Sequence, residues 1–124
     1  MSAAGGGAPE VGLTRGSELS ARKCAPCEGG VPPLSAAEAA VLRAQLHPDW
    51  EISADAKSLK RSLRFRDFYR TMSFVNALAH IANVEDHHPD LELGYNYCRV
   101  TFTTHAIGGL SQNDFICAAK LDRL

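Results

Sequence analysis

The spacing of hydrophobic and polar residues changes several times along this chain, and each change predicts an element. Ser35-Ala36-Ala37-Glu38 has the form of a capping box, in which the serine accepts from the third helical residue and the glutamate reaches back. Ala36 to Leu46 is therefore predicted to be a short Ala/Leu-rich helix, with Leu42 and Leu46 one turn apart. His47-Pro48 ends it, because a residue before proline is pushed out of helical geometry, and His47 reads as a surface residue. Trp50 and Ile52 alternate with Glu51 and Ser53. After a turn-like Ser53–Lys57, Leu59, Leu63 and Phe65 alternate with Lys60, Ser62, Arg64 and Arg66, so a hairpin is expected. From Asp67 to about Val84, Phe68, Met72, Val75, Ala79 and Ala82 recur at spacings of four, three, four and three. Tyr69, Leu78 and Ile81 widen that stripe, while Phe74 and His80 fall off it. This predicts a long amphipathic helix lying across the sheet. After Pro89 the period returns to two through Leu91, Leu93 and Tyr95. Past a turn, Val100 and Phe102 face one way and Arg99, Thr101, Thr103 and His105 the other, a second hairpin. Gly108-Gly109 breaks it, and Ser111 caps a final helix from Gln112 to about Asp122.

The predicted order is α-β-β-α-β-β-α, an α+β domain with a four-stranded antiparallel sheet and helices packed on one face. The final helix is apolar nearly all round from Phe115 to Leu121, which predicts burial of part of it in a homodimer or homotetramer interface. Residues 1–33 hold seven of the ten glycines and four of the six prolines, with few large apolar side chains. They read as a flexible N-terminal arm, and the domain proper as residues 34–124. Within the arm, Cys24-Ala25-Pro26-Cys27 has the spacing of half a zinc site or of a redox pair, but no second pair follows, and two reduced thiols are the default reading.

Composition removes several classes of function. A formal net charge of -1 gives no field for a nucleic-acid backbone, so no nucleic-acid partner is expected. There is no apolar run of membrane-spanning length and no secretory pattern at the start. The expectation is therefore a cytoplasmic protein with no membrane contact, an organelle being left open.

Three of the five histidines lie in one stretch: His87 and His88, followed by Pro89, and His105. Imidazole gives and takes protons near neutral pH, so a proton-transfer site is the first reading. His87 and His88 end the long helix, His105 ends the fourth strand, and Asp114 sits in the first turn of the last helix. Antiparallel pairing can bring all four to one end of the sheet.

The spacing His87-His88-Pro89, five residues, Tyr95, nine residues, His105, eight residues, Asp114 resembles the pterin-4a-carbinolamine dehydratase family, over roughly Leu34 to the C-terminus. The resemblance implies dehydration of a 4a-hydroxytetrahydropterin to the quinonoid dihydropterin in tetrahydrobiopterin recycling. That chemistry delivers a proton to the leaving hydroxyl and removes one from the neighbouring ring nitrogen. Histidines can do both without a metal or an organic cofactor. By this resemblance His87, His88 and His105 are the catalytic candidates. Together with Pro89, Thr104, Ala106, Ile107 and Asp114, they are also the candidates for contact with the pterin. One position departs from the family: an acidic residue is common four positions before the first histidine, and here it is Asn83. A carboxylate there would hold His87, and Glu85 or Asp86 is expected to substitute in part. Two alternative readings stand beside it: a three-histidine metal hydrolase, made awkward by the adjacency of His87 and His88, and a non-enzymatic role as a dimerisation partner of a homeodomain transcription factor, which the resemblance also implies for some members.

Overall fold

The computed structural model describes residues 18–27 and 29–124. The elements are α1 (Ala36–Arg43), β1 (Glu51–Ile52), β2 (Leu59–Arg64), α2 (Phe68–Glu85), β3 (Asp90–Leu93), β4 (Tyr97–Phe102), a 3-10 turn (His105–Ile107) and α3 (Gln112–Leu121). This is the predicted α+β order. All neighbouring strands are antiparallel, in the spatial order β1-β2-β4-β3, so the two longest strands are central and short strands form both edges. Short edge strands offer little unpaired backbone to another chain. Among the described residues no helix is long and apolar enough to cross a membrane.

Local chemistry accounts for the helix boundaries. The Ser35/Glu38 capping box is formed, Asp67 caps α2 by accepting from the Arg70 amide, and Ser111 caps α3 in a second box with Asp114. α1 is shorter than predicted: it ends at Arg43, and tighter turns bring Leu46 into the core. On α2 the buried stripe is Thr71, Val75, Leu78 and Ala82, while Phe68, Tyr69 and Ala79 are exposed. The observed stripe includes Thr71, which a hydrophobic pattern passes over. Its hydroxyl is satisfied in place by the carbonyls of Asp67 and Tyr95, so burying it leaves nothing unpaired. Phe74, off the predicted stripe, packs beside Phe65 with ring centroids 5.3 Å apart.

The core lies between the sheet face carrying Leu59, Cys98, Val100 and Phe102 and the helices, with Trp50 fully buried against Phe102. Asp122, just past α3, accepts from the Trp50 indole and from Arg61, both at 2.8 Å, and so fixes the sheet to the end of the last helix.

Two expectations change. Residues 1–17, the first part of the expected arm, lie outside the described residues. Residues 18–27 are not loose: Leu19 is fully buried, Cys24 packs on the core, and Lys120 donates to the Ser20 carbonyl. This segment also overturns the expected interface on α3. Phe115 to Ala119 and Leu121 are buried inside the single chain, covered by α2 on one side and by residues 18–27 on another. The helix is apolar all round because its own N-terminal segment supplies the partner surface.

Candidate active site

The histidine pair is placed by how α2 ends. Asp86 adopts the left-handed conformation at φ 52, the Asp86 amide bonds back to the Asn83 carbonyl, and the His87 amide reaches the Ala82 carbonyl at 3.1 Å. This is the Schellman ending of a helix, with aspartate where glycine is usual, a tolerated exchange because Asp visits this region more readily than most residues. It turns the chain sharply and leaves His87 and His88 at the rim, and Pro89 then leads into β3.

His87 is the best held of the histidines. Its Nε2 lies 2.6 Å from Asp114 Oδ1, and its ring lies parallel to Phe102, with centroids 5.9 Å apart. Asp114 has no exposed surface. Its Oδ2 accepts from the Thr104 hydroxyl at 2.8 Å and from the Ser111 amide at 3.0 Å. With both oxygens engaged as acceptors, Asp114 selects the His87 form that carries its hydrogen on Nε2, and Nδ1 is left for other business. Asp114 therefore closes the α3 capping box and fixes His87 at once. Thr104 is itself pinned by Ser111 Oγ at 2.8 Å and by backbone pairing with Gly109.

His88 Nε2 lies 3.0 Å from Asn83 Oδ1 on the exposed side. Asn83, predicted to stand below His87, serves His88 instead. Glu85 and Asp86 do not substitute as holders of His87. Glu85 accepts from the Cys24 amide at 2.8 Å and lies 3.7 Å from Lys120. Burial, the largest influence on Glu85, pushes its carboxyl up. The Cys24 amide and the charges of Lys120 and Lys23 outweigh that, and hold it below its ordinary value of 4.5. His105 is not on β4, which ends at Phe102. It opens the exposed 3-10 turn, and its ring makes no hydrogen bond to any described residue.

The three histidines meet at one cleft of about 290 Å³, lined by Cys27, Asp86, His87, His88, Thr103, Thr104, His105 and Ala106. Of the other sequence candidates, Asp114 lies behind His87 rather than on the wall. Pro89 and Ile107 are not part of the lining, and the Ile107 amide is already spent on the Thr104 carbonyl. Tyr95, the aromatic of the spacing pattern, sits in the β3–β4 turn, at the far end of the hairpin from the histidines, stacked on Phe68. Sequence reasoning missed Cys27 and the Phe102 platform, and considered Asp86 only as a holder of His87, not as part of the wall. Only the alternation of β4, which faces Phe102 inward, hinted at the platform. A larger cavity of about 550 Å³ between Arg64, Phe65, Arg70, Phe74 and Leu124 holds no histidine or carboxylate side chain, so the smaller one is the candidate for proton transfer. Among the described residues no three His, Cys, Asp or Glu side chains gather closely enough to hold a metal ion.

Comparison with known proteins places the chain in a family. A family model described as pterin 4 alpha carbinolamine dehydratase matches residues 32–124. A protein of Nitrosomonas eutropha named "Putative pterin-4-alpha-carbinolamine dehydratase" is 56% identical over 112 residues, 90% of this chain and 97% of its own length. A protein of the same name from Legionella pneumophila is 55% identical over 108 residues, 87% of this chain and 96% of its own. The crystal structure of a transcriptional coactivator/pterin dehydratase from Brucella melitensis superposes with a TM-score of 0.70 at 28% identity, covering 73% of this chain and 96% of that one. By its sequence along the whole folded domain and by its fold, the chain belongs to the pterin-4-alpha-carbinolamine dehydratase family.

Proposed function

We propose that this chain dehydrates a 4a-hydroxytetrahydropterin to the quinonoid dihydropterin and water, in the recycling of tetrahydrobiopterin, with His87 and His105 moving the protons. The observation that carries the reading is the buried Asp114 behind His87, opening on a cleft shared with His88 and His105. The cleft is at the small end of ligand sites, which suits a bicyclic ring.

The hydrogen bonds support this division of roles. Neutral His87 keeps its hydrogen on Nε2 toward Asp114 and offers the Nδ1 lone pair, so it takes the proton from the ring nitrogen next to C4a. Protonated His105, exposed and recharged from solvent, delivers its proton to the 4a-hydroxyl. The C4a–O bond breaks, water leaves, and the electron pair of the former N–H bond closes the new C=N bond. His88, oriented by Asn83, contacts the ligand from the rim. The chemistry calls on no metal or organic cofactor. A homodimer or homotetramer belongs to the same reading, and it uses surface other than the α3 face that residues 18–27 cover.

The test is stopped-flow decay of a freshly made 4a-hydroxytetrahydropterin with wild type, His87→Ala and His105→Ala. Loss of a positioned acid or base is expected to cost about 10²–10⁴ in kcat in each variant. Rates within about threefold of wild type in both would overturn the assignment and favour a binding role.

A further inference from the structure

Cys24 and Cys117 are 93 residues apart in sequence, yet their sulfurs lie 3.6 Å from one another. Cys117 is fully buried in the middle of α3, while Cys24 is half-buried in irregular backbone on its surface. The approach is built by the segment around it. The Cys24 amide donates to Glu85 at 2.8 Å, the Ala25 amide donates to Asn113 Oδ1 at 3.0 Å, and Asn113 Nδ2 returns a bond to the Ala25 carbonyl at 2.6 Å. The other thiol of the Cys24-Ala25-Pro26-Cys27 motif is occupied elsewhere: Cys27 Sγ accepts from Asn113 Nδ2 at 3.3 Å and forms part of the catalytic cleft wall.

We propose that Cys24 and Cys117 form an oxidisable pair whose disulfide fastens residues 18–27 to α3, and so fixes the wall of the cleft that Cys27 supplies. Disulfide sulfurs are bonded at about 2.05 Å, so the two must close by roughly 1.5 Å. Rotation of Cys24 in irregular backbone can supply this, whereas Cys117 is held by its helix. Cys27 is the competing partner by sequence, but its sulfur is engaged by Asn113 Nδ2 and the Ala25 carbonyl.

Accessibility sets the order of the chemistry. The hydrogen bond with Cys24, followed by burial, pushes the Cys117 thiol up, so Cys117 is not the first to react. The Cys24 sulfur attacks a hydroperoxide, the O–O bond breaks, and Cys24 becomes a sulfenic acid with release of water or an alcohol. The Cys117 sulfur then attacks the Cys24 sulfur, and the S–O bond breaks. The hydroxyl leaves as water with the thiol proton of Cys117. The pair loses two protons and two electrons, and the peroxide takes up both.

The full-length protein, treated with a few equivalents of hydrogen peroxide, then denatured in guanidinium chloride with N-ethylmaleimide so that buried thiols are blocked too, and digested without reduction, gives the answer by mass spectrometry. The expected product joins the peptides bearing Cys24 and Cys117, lighter by two hydrogens, with Cys27 and Cys98 alkylated. Exchange of the Cys24 and Ala25 amides should slow by roughly tenfold on oxidation, recover with dithiothreitol, and stay unchanged by peroxide in Cys24→Ser. A Cys24–Cys27 link, over-oxidation of Cys24 beside an intact Cys117 thiol, or amide exchange that peroxide leaves unaltered would each overturn the proposal.

Discussion

Asp114→Asn isolates what the buried carboxylate does for His87. The amide has the same shape, and its oxygen can still accept from the Thr104 hydroxyl and the Ser111 amide. Its nitrogen then faces His87 Nε2 at the present 2.6 Å contact and can only donate. His87 must present a bare Nε2 and move its hydrogen to Nδ1, which turns the nitrogen offered to the ligand from an acceptor into a donor. For stability, a charge-assisted bond is exchanged for a neutral one in a fully buried site. A loss of about 1–2 kcal/mol is expected, several degrees in Tm for a domain of this size. For catalysis, a general base in the wrong protonation form costs about 10²–10³ in rate, or about 3–4 kcal/mol at the transition state. The catalytic loss should thus exceed the folding loss. Single-turnover kinetics, a thermal melt and ¹⁵N chemical shifts of the His87 ring measure the three quantities separately. A ring that changes form while kcat stays within about threefold of wild type would refute the reasoning, because the orientation of that hydrogen would then be irrelevant to turnover.

Asn83→Glu places a charge beside His88 rather than His87, so the His88 ring titration should move by NMR while that of His87 stays; a shift of His87 alone would contradict the contact seen here. Glu85 is held below its ordinary value, so its contribution to stability is full above that value and is lost as pH falls through the lower folded one. In urea titrations from neutral pH down to about pH 3, wild type should therefore lose more stability than Glu85→Gln, and parallel curves would remove the argument. Asp122→Ala strands the buried Trp50 indole N–H and the largely buried Arg61 guanidinium. It should cost about 3 kcal/mol in chemical denaturation while leaving kcat unchanged in the folded fraction.

Most of the architecture was legible because its signals are local. Two capping boxes, the break at Pro89 and the period of two around Val100 and Phe102 each act within a few residues, and the sheet follows from them. The meeting of His87, His88 and His105 at one cleft could be anticipated from antiparallel pairing and the spacing of the motif. What escaped notice depends on partners far away in sequence. Asn83 was assigned to His87 by helical spacing, but the left-handed turn at Asp86 rotates His87 away and brings His88 within its reach. The apolar circumference of α3 suggested another chain, because nothing in a Gly- and Pro-rich arm announces that Leu19 and Cys24 will lie down on it. Asp114, expected to touch the pterin, is instead fully buried behind His87, and the burial of Thr71 depends on carbonyls that the pattern of residues does not display.

One carboxylate here answers to two masters. The oxygen pair of Asp114 starts the last helix and orients the imidazole, so a change that releases His87 also uncaps α3. Thr104, Ser111 and Asp114 are one buried hydrogen-bonded set, and exchanging any one of them alone leaves a partner of the others unpaired.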